Sequence, residues 1–162
     1  MLQLRHSTFI PYEDVYDYYN SFDKSCRYKE MTSFSLLEAK NKDRYLECIT
    51  CFEKFLYYLI DDENPSYILG HTVLSINFPY ADIAYAVRTE EREKGYGTLI
   101  LKLAKEQAKE LGIEHVYISC FDDNIGSKKV IENNNAEFIK EYIDRDSGRN
   151  ALSYTIALKK KL

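Results

Sequence analysis

The clearest pattern of apolar and polar positions runs from residue 99 to residue 111. Apolar side chains recur there at three- and four-residue spacing and stop before Gly112, a residue type that commonly ends helices. This segment predicts one amphipathic helix. An apolar run at 83–87 predicts a strand ahead of it, and Gly95 and Gly97 lie between the two. The order predicted for this region is strand, glycine turn and helix.

The first half of the chain alternates short apolar runs with polar segments. Residues 2–9 predict a strand, and Pro11 followed by two acidic residues predicts a helix that continues to about Lys24. Residues 36–52 are periodic enough for one helix, interrupted around 41–43. Apolar runs at 55–60 and 67–76 flank a polar turn cluster and predict a hairpin, and 82–87 forms the next strand.

The end of the chain predicts one further strand, one helix and a closing hairpin. Apolar residues alternate over 116–120, and 127–133 suggest a short helix. Residues 137–143 and 151–158 then pair around a turn at Asp146-Ser147-Gly148. Because no repeat or low-complexity linker interrupts the chain, a single domain over 1–162 is expected.

Charge and composition argue against several classes of function. The chain has 22 basic and 26 acidic residues, a net charge of -4, and no long block of either sign, so nucleic-acid or membrane-surface binding is not expected. No apolar stretch approaches the ~20 residues of a membrane span, and residues 1–11 lack the apolar run of a signal peptide, which together predict a cytoplasmic protein.

The cysteines add no metal site to this interpretation. In a reducing compartment they are expected to remain thiols. Two of them form a Cys-x-x-Cys pair, but no second pair completes a zinc site, so no metal is predicted. The four cysteines are Cys26, Cys48, Cys51 and Cys120.

The turn before the long helix has the composition of a phosphate-binding loop. A helix start combines unpaired N–H groups with the positive end of the helix dipole, and Arg92 adds a positive charge. Gly95 and Gly97 permit unusual backbone angles and close approach of a ligand, and Thr98 adds a hydroxyl. A dinucleotide fingerprint would need a third glycine where Ile100 stands, and a Walker loop is absent. A helix start without any ligand has the same pattern.

Residues 82–137 resemble the GNAT N-acetyltransferase superfamily. Its signature is a strand ending near Val, then Arg or Gln-x-x-Gly-x-Gly or Ala, then a helix. More closely, the chain resembles a bacterial branch of predicted acetyltransferases, whereas the first 80 residues share only the order of elements. The matching segments are Ile83-Ala84-Tyr85-Ala86-Val87-Arg88, Arg92-Glu93-Lys94-Gly95-Tyr96-Gly97 and Asp123-Asn124-Ile125-Gly126-Ser127-Lys128-Lys129-Val130-Ile131-Glu132-Asn133.

The resemblance implies both a fold and an activity. The fold is the α+β acyl-CoA N-acyltransferase fold, with a mixed, mostly antiparallel twisted sheet of about seven strands flanked by helices. The activity is transfer of an acetyl group from acetyl-CoA to a primary amine of a small molecule or a protein, by direct attack on the thioester. A homodimer is left open.

The resemblance also implies a coenzyme A site made largely of main-chain groups. Ala86 and Val87 would pair with pantetheine where their strand and the next one splay apart. Asn124 and Ser127 would contact the remaining pantetheine or phosphate arm. The pyrophosphate would be held by Arg92, Lys94, Gly95, Tyr96, Gly97 and Thr98.

The proton donor is where the sequence departs from the family pattern. Amine attack on a thioester needs a proton acceptor, a donor to the oxyanion and a proton for the departing thiolate. The Val87 N–H would face the thioester oxygen. Many relatives use a tyrosine where Ile131 stands, and isoleucine cannot donate a proton. Either water or another phenol serves, or the protein transfers acyl groups slowly. Tyr154 is our candidate phenol, and the alternatives are Tyr85, Tyr117 and Tyr142.

The sequence also allows more than one general base and more than one function. Some relatives carry a glutamate where Ser119 lies, so Asp82 is the candidate base, with Glu132 or a relayed water as alternatives. His71 and His115 are interpreted as structural. The acidic residues at 90, 91 and 93 either attract a cationic substrate or are simply solvated. Two other hypotheses are a non-catalytic acyl-CoA sensor and a structural protein that has lost its ligand.

Overall fold

The computed structural model describes residues 1–22, 36–50 and 53–158. Short 3-10 turns follow β1 and β4, at Ser7–Phe9 and Thr89–Glu91. The helices are α1 (Tyr12–Asn20), α2 (Leu36–Ala39), α3 (Lys42–Ile49), α4 (Tyr96–Glu110) and α5 (Ile125–Asn133). The strands are β1 (Leu2–His6), β2 (Lys54–Asp61), β3 (Gly70–Asn77), β4 (Tyr80–Val87), β5 (His115–Phe121), β6 (Glu137–Ile143) and β7 (Asn150–Ala157).

These elements follow the predicted order, with local differences at their ends. The first strand ends at His6 because the next three residues turn, and the Thr8 amide donates to the His6 ring. The interruption predicted within 36–52 is confirmed: Asn41 caps α3 by accepting from the Arg44 amide at 3.1 Å. Helix α1 ends at Asn20, and its predicted end at Lys24 lies outside the described residues.

Seven strands form one twisted sheet in the order β1-β2-β3-β4-β5-β7-β6. Every neighbouring pair is antiparallel except β4 and β5, which run parallel. Pairing of β4 with β5 covers only Tyr80–Asp82 against His115–Tyr117. The predicted α+β fold is confirmed, and this short pairing leaves the rest of the two strands free to line an opening.

Helices cover both faces of the sheet. On one face, buried residues of α4 pack against β3, β4 and β5, in a cluster that includes Leu74, Leu101 and Val116. On the other face, α1 and α3 pack against β2 and β3. Alternation along each strand divides the side chains between the two faces. The packing of α4 fixes its first turn beside the end of β4, where the glycines lie.

A buried hydrogen-bonded network of tyrosines ties α1 and α3 to the sheet. The Tyr18 hydroxyl lies 2.7 Å from Nδ1 of His71, and the Tyr58 hydroxyl lies 2.7 Å from that of Tyr19 and 2.9 Å from that of Tyr45. All five side chains are almost fully buried. His71 is therefore part of the core, as predicted.

Some classes of site and segment are absent from the described residues. None of the helices in those ranges is both long and apolar enough to cross a membrane. In the same ranges, no group of three or more His, Cys, Asp or Glu side chains is arranged to hold a metal ion. Cys48 and Cys120 are free thiols, and the other two cysteines lie outside the described residues.

Candidate active site

A groove of about 1430 Å³ opens where β4 and β5 stop pairing. Its walls are the ends of these two strands, the turn and first residues of α4, the start of α5 and part of the β6–β7 hairpin. Ten of the sequence-predicted site residues line it: Asp82, Ala86, Val87, Arg92, Gly95, Tyr96, Gly97, Thr98, Asn124 and Ser127.

The edge of β4 presents main-chain N–H groups to this groove. The Arg88 amide donates to the Leu69 carbonyl at 2.8 Å, on the β3 side of the strand. Successive N–H groups of a strand point to opposite sides, so those of Val87 and Tyr85 point toward the groove. Ala86 also lines the groove, but its carbonyl oxygen lies 3.5 Å from the Tyr18 hydroxyl. Val87 thus offers a fixed donor beside the glycine turn.

The two glycines of the turn are needed for different structural reasons. Gly95 has a left-handed φ of 84°, and a Cβ placed there would meet nothing within 4 Å, so its backbone is open to a ligand. Gly97 is buried, and a Cβ there would come within 3.1 Å of the Val130 side chain and 3.3 Å of the Tyr85 ring. Gly95 therefore supplies the backbone angle, and Gly97 lets α4 approach both α5 and β4.

The first turn of α4 directs its free N–H groups toward the groove. Helix α4 has 15 residues, and its N-terminal amides lack intrahelical partners. This end also carries the positive pole of the helix dipole, which favours an anion. Arg92 lines the groove, whereas Lys94 does not: its Nζ lies 2.8 Å from the Glu91 carboxylate. Hydrogen bonds from Lys94 and Tyr67 lower the pKa of Glu91.

The start of α5 forms the opposite wall. The Asn124 side chain accepts from the Ser127 amide at 3.1 Å and so caps the helix. The Ser127 hydroxyl lies 3.0 Å from that of Tyr85, which links α5 to β4. Both residues assigned to the pantetheine arm therefore line the groove, but Asn124 also has a structural role.

Replacing Asn124 by alanine should separate these two roles. The free energy of unfolding is expected to fall by about 1 kcal/mol because the cap is lost. Asn41→Ala is the matched control, since Asn41 caps α3 in the same way but does not line the groove. Urea unfolding and acetyl-CoA titration would be measured for both variants. Asn124→Ala should bind acetyl-CoA more weakly than Asn41→Ala; equal affinities would leave Asn124 with a capping role alone.

The groove continues onto the sheet face that lies away from α4 and α5. Ile83 and Ile118 belong to the core on the α4 side, so Asp82 and Ser119 point to the opposite face. Asp82 is paired with Tyr117 in the last register position that joins β4 and β5. Partial burial raises the pKa of the Asp82 carboxyl. A carboxylate with a raised pKa at the point of divergence is suited to accept a proton.

Comparison with models of protein families identifies the family of the chain. The model of the acetyltransferase (GNAT) family matches residues 9–135, most of the chain. The chain belongs to the GNAT acetyltransferase family. Among curated proteins, none matches the sequence.

Solved structures of N-acetyltransferases share the fold over nearly all of the chain. A spermidine N-acetyltransferase chimera from Vibrio cholerae and hSSAT has a TM-score of 0.78 at 15% identity, covering 97% of this chain and 95% of its own. A ribosomal-protein alanine N-acetyltransferase from Escherichia coli has a TM-score of 0.71 at 10% identity, covering 99% and 96%. An N-acetyltransferase from Staphylococcus aureus has a TM-score of 0.72 at 16% identity, covering 98% and 99%. Identities this low show the fold alone.

Within this GNAT domain, the candidate proton donor Tyr154 does not reach the groove. It is 5% exposed, belongs to the core on the α4 side and packs edge-to-face on Phe138 with ring centroids 5.7 Å apart. Ile131 is fully buried in the same core and does not line the groove. Tyr85 does line it. From the sequence, Tyr85 was only one of several candidate phenols, because the sheet face to which a strand side chain points depends on how the strands pair.

Proposed function

We propose that this GNAT acetyltransferase uses acetyl-CoA to acetylate a primary amine of a small molecule or a protein. The observation that carries the proposal is the Val87 N–H, which faces a groove whose adjoining wall is the phosphate-type turn at Gly95. The same fold occurs in structures named as acetyltransferases of spermidine and of a ribosomal protein, which supports an amine as the acceptor.

The described residues fit coenzyme A. The open backbone at Gly95, the amides of the first turn of α4 and the Arg92 side chain would hold the pyrophosphate. Pantetheine would extend along β4 with Val87 as a main-chain partner, in the manner of an added strand. Asn124 and Ser127 would close the α5 side. Lys94, which is paired with Glu91, would contribute through its main chain or by charge alone.

The same residues support direct attack of the amine. Acetyl-CoA supplies the acyl group as an activated thioester. The Val87 N–H would stabilise negative charge on the thioester oxygen without reorganisation. Asp82 lies five residues before Val87 on the unbroken strand β4, so it would accept the amine proton through an intervening water. Its face of the sheet would admit the acceptor opposite α4 and α5. Holding both reactants in one groove also supplies proximity.

The alternative is a non-catalytic acyl-CoA sensor. The observation that favours it is the loss of the usual phenol, because Ile131 is buried and Tyr154 lies outside the groove. A sensor would bind acetyl-CoA tightly and release no thiol with any amine. The enzyme proposal, by contrast, takes residues 1–162 as one cytoplasmic domain that acts on amines. It involves no binding to nucleic acid or membranes, and it is compatible with a homodimer.

Thermal unfolding with and without acetyl-CoA tests the cofactor site. A ligand at 100 times its Kd stabilises the native state by about 2.7 kcal/mol, which should raise Tm by about 5 °C or more. Gly95→Glu should lose this shift because its carboxylate would repel the pyrophosphate. Gly112→Glu is the matched control: its φ of 79° gives the same backbone strain at the other end of α4.

The outcomes divide the hypotheses. A shift kept by Gly112→Glu but lost by Gly95→Glu would support the site, and thiol release would then be followed across a panel of amines. Thiol release with an amine supports the enzyme, and tight binding without any release supports the sensor. No shift in the unaltered protein would contradict both and leave a structural protein.

A further inference from the structure

Coenzyme A leaves an acyl transfer as a thiolate, so the groove needs a proton donor close to the departing sulfur. At the position where many relatives carry a tyrosine, this chain has Ile131, which is buried and cannot donate a proton. The described residues offer several other hydroxyls along the groove. Their positions on the sheet decide which of these hydroxyls can reach the sulfur.

Tyr85 lies where β4 has already parted from β5. Its own N–H, like that of Val87, points toward the groove, whereas its side chain points to the face covered by α4 and α5. The ring lies against Gly97 and the hydroxyl lies 3.0 Å from that of Ser127. Tyr85 therefore spans the groove beneath the path of an extended ligand along β4.

The other phenols in the groove are less well placed. Tyr117 shares the sheet face of Asp82, and Tyr142 is paired with Ala151 on that same face, where the acceptor would enter. Tyr96 is the first residue of α4, at the phosphate end. Tyr85 lies between the phosphate turn and Asp82, on the face opposite the acceptor.

We propose that Tyr85 donates a proton to the sulfur of coenzyme A, the role that many relatives give to a tyrosine at the position of Ile131; this rests on the proposed acetyl transfer. The amine nitrogen bonds to the carbonyl carbon and gives its proton, through an intervening water, to Asp82, which passes it on to solvent. The C–S bond breaks, its electron pair goes to sulfur, and sulfur takes the Tyr85 proton. The phenolate then regains a proton from solvent through the Ser127 hydroxyl.

The surroundings of Tyr85 keep its phenol in the protonated form. Burial raises the pKa of the phenol, although the hydrogen bond with Ser127 opposes this, so the donor is protonated at neutral pH. Cys120 on β5 is the titratable group facing Tyr85, and burial raises the pKa of its thiol as well. The charged Lys128 and Glu132 of α5 act on Cys120.

Tyr85→Phe tests the proposal by kinetics and by titration of bound coenzyme A. We expect kcat to fall about 10²-fold with little change in KM, while the acetyl-CoA thermal shift is kept. The pKa of the bound coenzyme A thiol, followed by thiolate ultraviolet absorbance, should rise by about one unit, because a donor to the thiolate is lost. Ser127→Ala should give a smaller fall in kcat, since the phenol remains.

Tyr57→Phe is the control, because it removes a hydroxyl from the same core without touching the groove. Wild-type kcat and wild-type bound-thiol pKa in Tyr85→Phe would overturn the proposal. So would loss of the thermal shift, which would make Tyr85 a binding residue, or a loss of rate confined to Tyr154→Phe. If the unaltered protein acetylates no amine, the proposed function fails, and the thiol titration still decides where Tyr85 acts.

Discussion

Asp82→Asn is expected to lower kcat/KM for acetyl transfer at neutral pH by about 10²-fold or more. Asp82 ends the paired part of β4 and β5, and its side chain lines the groove on the proposed acceptor side. Asparagine keeps the size and polarity of the side chain but cannot accept the amine proton. Binding of acetyl-CoA should be unchanged, because the phosphate turn lies at the other end of the groove.

The same role for Asp82 predicts the direction in which kcat/KM changes with pH. Partial desolvation raises the pKa of Asp82, and a base works only when deprotonated, so kcat/KM should fall as the pH drops through that raised pKa. This limb should disappear in Asp82→Asn, while any limb set by the amine itself remains. Profiles of kcat/KM against pH for both proteins provide the measurement.

Glu132→Gln tests whether Glu132, the alternative base suggested by the sequence, accepts the proton instead of Asp82. Glu132 is exposed on α5 and does not line the groove, so this variant should keep the rate and the acidic limb. A rate loss in Glu132→Gln with none in Asp82→Asn would assign the base to α5. Wild-type rates in both variants would indicate that water accepts the amine proton without either carboxylate.

The parts of the site that could be predicted from the sequence are those set by local chemistry. The spacing of apolar residues determines α4, and a left-handed residue before a helix favours glycine, so the turn at Gly95 was predictable. The break between α2 and α3 is likewise local, because Asn41 caps the helix that follows it. Such features need only the neighbouring residues.

The assignment of the proton donor required contacts between distant parts of the chain. Tyr154 is buried because β7 pairs with β5 in a register that sets Tyr154 beside Ile118, on the covered face. One residue of register shift would have turned it to the other face. Tyr85 reaches Ser127 only because α5 packs over the gap between β4 and β5. Neither result follows from spacing within one segment.

The free energy of unfolding is expected to fall steeply below pH 6.5 because of His71. This side chain is fully buried on β3, and burial lowers its pKa from 6.5 to about 3. Between these values the unfolded chain binds a proton that the folded chain does not. Stability is therefore kept above pH 6.5 and lost as the pH falls toward 3, by about 1.4 kcal/mol per pH unit and up to about 5 kcal/mol in all.

Urea unfolding at several pH values between about 4 and 7 measures this slope. His71→Gln should flatten it, because glutamine does not titrate, while carboxylates and the partly buried His6 act equally in both proteins. Tyr18→Phe should keep the steep slope, since burial and not the hydrogen bond lowers the pKa of His71. Equal slopes for His71→Gln and the wild type would contradict the assignment.

The acid sensitivity of this core also bears on the active site. His71 on β3 pairs with Ala86 of the groove wall, so protonation that opens the core also disturbs the site. The Asp82 limb must accordingly be measured at pH values where the protein is still folded.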